Sequence, residues 1–222
     1  MKKFMILVCA LALTLCACAS ETPSEDGGSS VTLKKDGSVE IKMTEEFGSD
    51  YSEDGLKSLI DESVAAYGRQ SGSAQISLES CEKDGAGQLV IEMTFDSSET
   101  YAGWKNYFLD YMYASELGMD SDIEIDTQGF FAGTISEAYA AGYSLDVTLA
   151  PVSDNSVQSV TKADLLSMGD KHIVILERED EDETVTVNCY GEILYVGDGV
   201  TATEKKSAQV SAADGYAMIV FE

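Results

Sequence analysis

Two Asp-Gly pairs, each between short segments of alternating apolar and polar residues, constrain the fold of this chain more than any other feature. Alternation with a period of two places every second side chain on one face of a strand, and Asp-Gly favours a tight turn between strands. Asp36-Gly37 lies between apolar positions of residues 31–43, and Asp84-Gly85 lies between those of residues 76–95. The sequence therefore predicts two β-hairpins.

Each predicted hairpin is followed by a segment with the spacing of an amphipathic helix. The first opens after Ser52, and Gly68 is its expected stop. The second opens at Asp96, which together with Glu99 has the spacing of a capping box. The apolar stripes are Leu56, Leu59, Ile60, Val64 and Tyr67 in the first helix, and Tyr101, Trp104, Phe108 and Met112 in the second. These stripes predict two helices that pack inward.

The remainder of the chain reads mostly as short strands. Residues 143–149 alternate as a strand, Thr161 and Asp164 are expected to cap a short helix, and further strands are expected at 172–177, 184–189, 192–196, 200–203, 209–211 and 217–221. Strand signals outnumber helix signals, and the connections resemble meanders. We therefore expect an α+β fold: an antiparallel sheet built from hairpins with two main packed helices, followed by a smaller, mainly β C-terminal region. The polar residues 152–160 divide an α+β domain, 31–151, from a mainly β subdomain, 152–222.

The N-terminus has the organisation of an export signal. A basic start, Met1-Lys2-Lys3, precedes an apolar run over 4–15, which is too short to be a good membrane span. Residues 15–18 read Leu-Cys-Ala-Cys and resemble the lipobox of bacterial lipoproteins, with Cys18 as the lipidated residue. Cys16 is the competing candidate, but it would place Leu15 where a small residue is required. The alternative is an ordinary signal that is cut after Ala17 or Ala19.

The lipobox resemblance implies a signal peptide over 1–17 and a diacylglyceryl group on Cys18, with fatty acids such as palmitate. Residues 18–30 would then be the lipidated cysteine and a polar, Gly/Ser-rich tether. The expected location is extracytoplasmic, on a cell membrane that the protein contacts through the lipid on Cys18. More than one acyl chain is needed for stable anchoring.

The charge of the chain limits its partners. It carries 40 acidic and 14 basic residues, a net charge of −26, and two of the basic residues lie in the expected signal peptide. Such a surface repels nucleic-acid phosphate and anionic lipid head groups, so we expect no nucleic-acid partner and no electrostatic membrane binding. Solubility is the simplest consequence of this charge.

Residues that could carry chemistry are sparse. His172 is the only histidine, and its position at the start of an apolar strand favours a structural role. Asp120, Asp122, Glu124 and Asp126 offer alternating oxygen ligands, but the pattern lacks the glycine and final glutamate of an EF-hand. Beyond Cys18 only Cys81 and Cys189 remain, and we expect both to be free thiols, Cys81 facing solvent and Cys189 facing the core. We expect no metal and no cofactor.

Aromatic residues give the remaining binding candidates. Tyr107 and Tyr111 lie one turn apart at the edge of the second helical stripe and could face a glycan or a peptide, or they could simply cover the sheet. The segments KKDGSVEIKMTEEF (34–47) and GEILYV (191–196) resemble stretches of uncharacterised surface lipoproteins of Gram-positive anaerobes. We expect a non-enzymatic binding or scaffolding module; the alternative is a cell-envelope hydrolase that uses carboxylates or a bound metal.

Overall fold

The computed structural model describes residues 28–46, 52–117, 123–152, 160–178, 184–211 and 215–222. The expected signal peptide, Cys18 and most of the expected tether lie outside the described residues. Ser29 already belongs to the folded part, because its side chain is 3% exposed and its carbonyl accepts a hydrogen bond from Thr186 N–H at 3.0 Å. The folded part therefore begins about two residues earlier than Val31, the expected start.

The described residues form four helices and twelve strands. The helices are α1 (Glu53–Ser71), α2 (Ser98–Leu117), α3 (Ile135–Ala140) and α4 (Lys162–Ser167). The strands are β1 (Ser30–Leu33), β2 (Val39–Glu46), β3 (Ile76–Lys83), β4 (Gln88–Phe95), β5 (Phe130–Thr134), β6 (Ala150–Pro151), β7 (His172–Arg178), β8 (Val185–Asn188), β9 (Ile193–Val196), β10 (Val200–Ala202), β11 (Ser207–Val210) and β12 (Gly215–Phe221).

These strands form two sheets, which confirms the α+β fold class. The first sheet has seven strands in the order β10-β11-β8-β1-β2-β4-β3, and the second has five in the order β5-β7-β12-β9-β6. Pairing is antiparallel except between β1 and β8, where Ser30 pairs with Thr186 and Val31 with Val187 in parallel. The C-terminal part is strand-rich, as expected, but its strands do not form a simple meander.

One large core joins both sheets to α1 and α2. It contains buried residues of the first sheet such as Val31 and Ile91, the helix residues Ile60 and Trp104, and one face of the second sheet, including Leu176. The other face of the second sheet forms a smaller core beneath α3 and α4. Both helical stripes are buried as predicted, with Val64 only partly so.

The expected division at 152–160 does not separate two sheets. The first sheet combines β1–β4 with β8, β10 and β11, and the second combines β5 and β6 with β7, β9 and β12. Segments 31–151 and 152–222 therefore share both sheets and the larger core. Residues 153–159 themselves lie outside the described residues.

Two expected helix caps are displaced in the structure. Helix α1 continues through Gly68 and stops at Gly72, which has a left-handed φ of 77° and donates its N–H to the Gly68 carbonyl. Helix α2 is capped by Ser97, whose hydroxyl accepts the Thr100 N–H at 3.0 Å. Asp96 instead accepts the Gln75 N–H at 3.0 Å. The capping-box prediction for Asp96 was wrong by one residue.

A β-bulge reverses the expected facing of Cys81. The register between β3 and β4 shifts between Leu78 and Ser80, and Cys81 pairs with the buried Ile91 at an exposure of 5%. A bulge inserts one extra residue and exchanges the two faces beyond it. Cys189 is buried as expected, and both thiols are free. Four strand spacings separate β3 from β8, about 19 Å, far more than a disulfide spans.

The alternating segment 143–149 is not a regular strand. Leu145 and Leu149 are buried at 0% exposure, but the chain is irregular until the bridge between Leu149 and Val160 and the two residues of β6. The alternation therefore predicted the burial correctly and the hydrogen bonding wrongly. The capping box of α4 at Thr161 and Asp164 is confirmed.

Candidate functional site

A cavity of about 280 Å³ lies where the β1–β2 turn meets the start of β7 and the end of β12. The turn follows β1 directly: Lys34 N–H bonds the Ser38 carbonyl at 2.9 Å, and Gly37 takes a φ of 91°, which suits a glycine. The other walls come from β5, from α3, and from Tyr190, which follows β8. The cavity contains the only histidine of the chain and charged side chains of both signs.

Three rings form one wall of the cavity. Strand pairing places His172 directly opposite Phe221, and the two rings stack with centroids 5.4 Å apart at 30°. Tyr190 packs its ring nearly perpendicular to both, 5.3 Å from His172 and 5.0 Å from Phe221. Nδ1 of His172 is enclosed and has no hydrogen-bond partner among the described residues. The residue as a whole is half-buried, so part of its ring faces the cavity.

The two carboxylates of the cavity are held by internal donors. Asp36 accepts the Ser38 hydroxyl at 2.7 Å and the Ser38 N–H at 3.1 Å, and these bonds lower the pKa of its carboxyl. Glu137 accepts the Thr134 N–H at 2.7 Å and the Thr134 hydroxyl at 2.8 Å. These two bonds, with a smaller contribution from His172, lower the pKa of Glu137. Both carboxyl groups therefore stay ionised at neutral pH.

This arrangement fits binding better than hydrolysis. A serine or threonine nucleophile needs a hydroxyl that is hydrogen-bonded to the imidazole. Here the Ser38 hydroxyl donates to Asp36, and the Thr134 hydroxyl donates to Glu137. A glycosidase acid needs a carboxyl whose pKa is raised, whereas the pKa values of both carboxyl groups here are lowered. The cavity offers aromatic surface and two carboxylates that stay ionised.

The cationic side chains of the cavity differ in how they are engaged. Lys34 pairs with Glu40 at 2.7 Å. Lys35 is exposed and has no ion-pair partner among the described residues. Outside the cavity wall, the Lys206 ammonium donates a hydrogen bond of 2.6 Å to the Tyr190 carbonyl. This bond fixes the position of Tyr190. The groups left available to a ligand are thus the Lys35 ammonium, the half-buried His172 ring and the aromatic wall.

Of the two alternatives for Tyr107, the structure agrees with the one in which its ring is covered and does not face a ligand. Its side chain is 5% exposed and packs edge-on against Tyr67, with ring centroids 5.4 Å apart. Tyr111 is half-buried against the same core and stacks on Tyr107 at 6.0 Å. Tyr107 therefore belongs to the packing between α1 and α2, whereas Tyr111 remains partly exposed.

In the part of the chain that the structure describes, no group of three or more His, Cys, Asp or Glu side chains converges in a metal-binding arrangement. Asp120 and Asp122 lie outside the described residues, so the alternating acidic pattern is placed only from residue 123 onward. Ile123 is buried and Ile125 is half-buried. None of the described helices is long and apolar enough to cross a bilayer.

A second depression lies on the outer face of the first sheet. It has a volume of about 500 Å³ and is lined by alternate residues of β1, β2 and β4, among them Thr32, Glu40, Lys42 and Glu92. Its walls are the polar side chains that a half-exposed antiparallel sheet presents to water. It lacks aromatic side chains, so we rank it below the His172 cavity.

Sequence reasoning identified His172 as the only histidine but assigned it a structural role. Glu137, Tyr190 and the turn residues 34–38 were not recognised as its neighbours, because these segments are far from residue 172 in the sequence and meet it only in the tertiary structure. The solitary histidine was the one signal that could have pointed to this site. No family model, no curated protein and no solved structure matches the chain.

Proposed function

We propose that this protein is an exported, lipid-anchored binding module of the extracytoplasmic surface, attached through lipid on Cys18. In this proposal the end of a glycan or a peptide occupies the cavity beside His172. The lipobox-like residues 15–18 support the anchor. The fixed charges and aromatic wall of the cavity support binding without turnover.

The direction of β1 is the observation that favours this function most. The chain enters the first sheet at Ser29 and Ser30, and β1 ends four residues later at the turn that lines the cavity. At roughly 3.3 Å per residue, the cavity lies about 13 Å from the entry point, at the opposite end of the strand. A domain suspended from its N-terminus would therefore turn this cavity away from the bilayer, where a soluble or cell-wall ligand can reach it.

The anchor is tested by substituting the two cysteines separately. Cys18→Ser should abolish incorporation of labelled fatty acid and release the protein from the membrane fraction. Cys16→Ser is the matched control and should retain both properties. Fatty-acid labelling that persists in the Cys18 variant would disprove the assignment of Cys18.

The orientation is tested on the acylated protein in lipid vesicles. Spin labels are placed singly at Lys35→Cys, on the cavity turn, and at Thr184→Cys, beside the entry of β1. Both positions are exposed, and the native Cys81 and Cys189 are buried. A paramagnetic lipid should relax the label at 184 more strongly than the label at 35. Equal or reversed relaxation would contradict a cavity that faces away from the bilayer.

The ligand is sought with arrays of cell-wall glycan fragments and short peptides. His172→Gln should lose the ligands that the unsubstituted protein retains, because it removes the ring that stacks on Phe221. Lys57→Gln, an exposed change on α1, should bind as the unsubstituted protein does. Ligands that bind both variants equally would place the binding surface elsewhere.

A further inference from the structure

A second aromatic cluster lies on the second sheet and is separate from the His172 cavity. The Tyr143 ring packs against Phe131 at 5.2 Å and 48°, and against Tyr216 at 5.9 Å and 84°. Tyr216 is 39% exposed, and Tyr143 and Phe131 are partly exposed. Strand β12 carries Tyr216 near its start and Phe221 at its end, so about 17 Å of strand separates this cluster from the cavity. We call Phe131, Tyr143 and Tyr216 together the aromatic wall of β12, after the strand that carries Tyr216. This group is distinct from the aromatic wall of the cavity.

Strand register places a carboxylate beside this wall. Tyr216 pairs directly with Glu177 across β12 and β7, so their side chains lie on the same face of the sheet. Phe131 pairs with Ile175, two residues before Glu177, and therefore shares that face. The Glu177 carboxylate can lie close to Gly129 because glycine has no side chain. A Cβ at position 129 would lie 3.3 Å from Glu177 Oε2.

The electrostatic surroundings of the wall are negative. Burial is the main cause that raises the pKa of Tyr143 and of Tyr216, and the charges of Glu177 and Asp126 raise both further. The two charged groups that act on both tyrosines are carboxylates. Tyr107 differs, because Arg69 acts there in the opposite direction.

We propose that the aromatic wall of β12, with Glu177, binds an organic ammonium group. The faces of aromatic rings carry negative quadrupole charge and attract a cation within about 6 Å of the ring centre. The adjacent Glu177 carboxylate adds Coulomb attraction, and the net charge of −26 raises the local concentration of cations. The protein already contains one such contact, since Lys162 Nζ lies 5.8 Å from the centre of the Tyr139 ring.

The proposal is independent of the function assigned to the cavity. It concerns a different end of the second sheet and a ligand of defined charge. The ammonium group could be quaternary, as in a choline-type compound, or primary, as in a lysine side chain. A neutral sugar could also stack on an aromatic wall, and its binding would contradict the proposal because it requires no positive charge.

Nuclear magnetic resonance titration of the folded chain separates these ligands. Three probes are added in turn: choline, its neutral isostere 3,3-dimethylbutan-1-ol, and n-butylammonium. We expect at least one of the two cations to shift the backbone signals of Tyr143, Tyr216 and Glu177, with the preferred cation identifying a quaternary or primary group. The neutral isostere should leave them unchanged. Equal shifts with the isostere, or no shift with either cation, would overturn the proposal.

Matched variants test the residues involved. Tyr216→Leu keeps apolar bulk but removes the ring face, and should weaken the preferred cation about two- to fivefold at an exposed site of this kind. Glu177→Gln should weaken it as well and reduce its dependence on salt. Tyr113→Leu replaces an exposed tyrosine on α2 and should not change the affinity. Unaltered affinity in either Tyr216→Leu or Glu177→Gln would exclude the wall as the binding site.

Discussion

Trp104 occupies the centre of the core that joins both sheets to the helices. It is 3% exposed, and its ring lies 5.4 Å from Phe95 and 4.9 Å from Phe108. Its indole Nε1 is buried without a hydrogen-bond partner among the described residues. The ring therefore contributes through apolar burial and dispersion, with an unpaired donor that reduces its benefit.

We expect Trp104→Ala to lower the free energy of unfolding by about 3–5 kcal/mol, the usual range for a buried large aromatic. Trp104→Phe should be much milder, because it keeps an aromatic ring and removes the unpaired donor. Urea denaturation measures both, with Tyr113→Ala as an exposed control. A loss below about 1 kcal/mol for Trp104→Ala would show that this side chain does not pack as described.

The Cys189 thiol should make the stability depend on alkaline pH. Burial raises its pKa from 9.0 to about 12, so the folded state keeps the proton after the unfolded chain has lost it. Stability from this group is therefore complete below pH 9.0 and is lost as the pH rises toward about 12. Within that window the free energy of unfolding should fall by up to about 1.4 kcal/mol per pH unit from this group.

The measurement compares unfolding between pH 8 and 11 in the unsubstituted protein and in Cys189→Ala. The alanine variant loses packing at every pH but should show the shallower decline. Parallel declines in the two proteins would mean that the buried thiol is ionised as easily as a free one.

Among the elements, α1 shows that a local hydrogen bond can determine where a helix begins, while packing against other segments determines where it ends. Its start is local, because the Ser52 hydroxyl accepts the Gly55 N–H at 3.2 Å. Its stop is at the second of two nearby glycines, since the chain stays helical through Gly68 and turns left-handed only at Gly72. Both glycines have suitable chemistry, and the packing of Tyr67 at 3% exposure holds the helix past the first.

Substitution by alanine should separate the two glycines. Gly68→Ala should stabilise the protein by up to about 1 kcal/mol, because alanine is the better helix former and its Cβ meets no atom within 4 Å. Gly72→Ala should destabilise by about 1–2 kcal/mol, because its φ of 77° strains a residue with a Cβ. Chemical denaturation gives both values. Stabilisation by Gly72→Ala would place the helix stop at Gly68, as the sequence suggested.

On the scale of the whole molecule, strands from distant parts of the chain depend on one another. Strand β1 lies between β2 and β8, and β7 lies between β5 and β12. Neither 28–151 nor 160–222 contains a complete sheet, and the larger core draws on both. A fragment would expose apolar faces and unpaired strand edges, which favour aggregation over folding.

We therefore expect fragments 28–151 and 152–222 to lack cooperative unfolding when they are produced separately. Thermal melts followed by circular dichroism, together with amide signal dispersion, measure this directly. The full folded chain, residues 28–222, should melt in one transition. A fragment that melts cooperatively by itself would restore the division into two independent units.

Local patterns determined much of this protein. Period-two alternation and the helical stripes specified both hairpins, both main helices and most of the buried residues, because burial of one face depends only on neighbours along the chain. The turn at 84–88 shows the precision of such signals. Asp84-Gly85 marks the turn correctly, yet Gly87 takes the positive φ of 84°.

The tertiary structure alone decided which distant strands meet. The parallel pairing of β1 with β8 brings the β1–β2 turn toward Tyr190, whose ring packs on His172, and the bulge in β3 turns Cys81 into the core. These outcomes depend on long-range pairing and on one extra residue in a strand, for which the local pattern carries no signal. The sequence by itself determined most of the helices and strands and their apolar faces. Only the tertiary structure determined the cavity, because its walls come from segments that are distant in the sequence and that long-range strand pairing brings together.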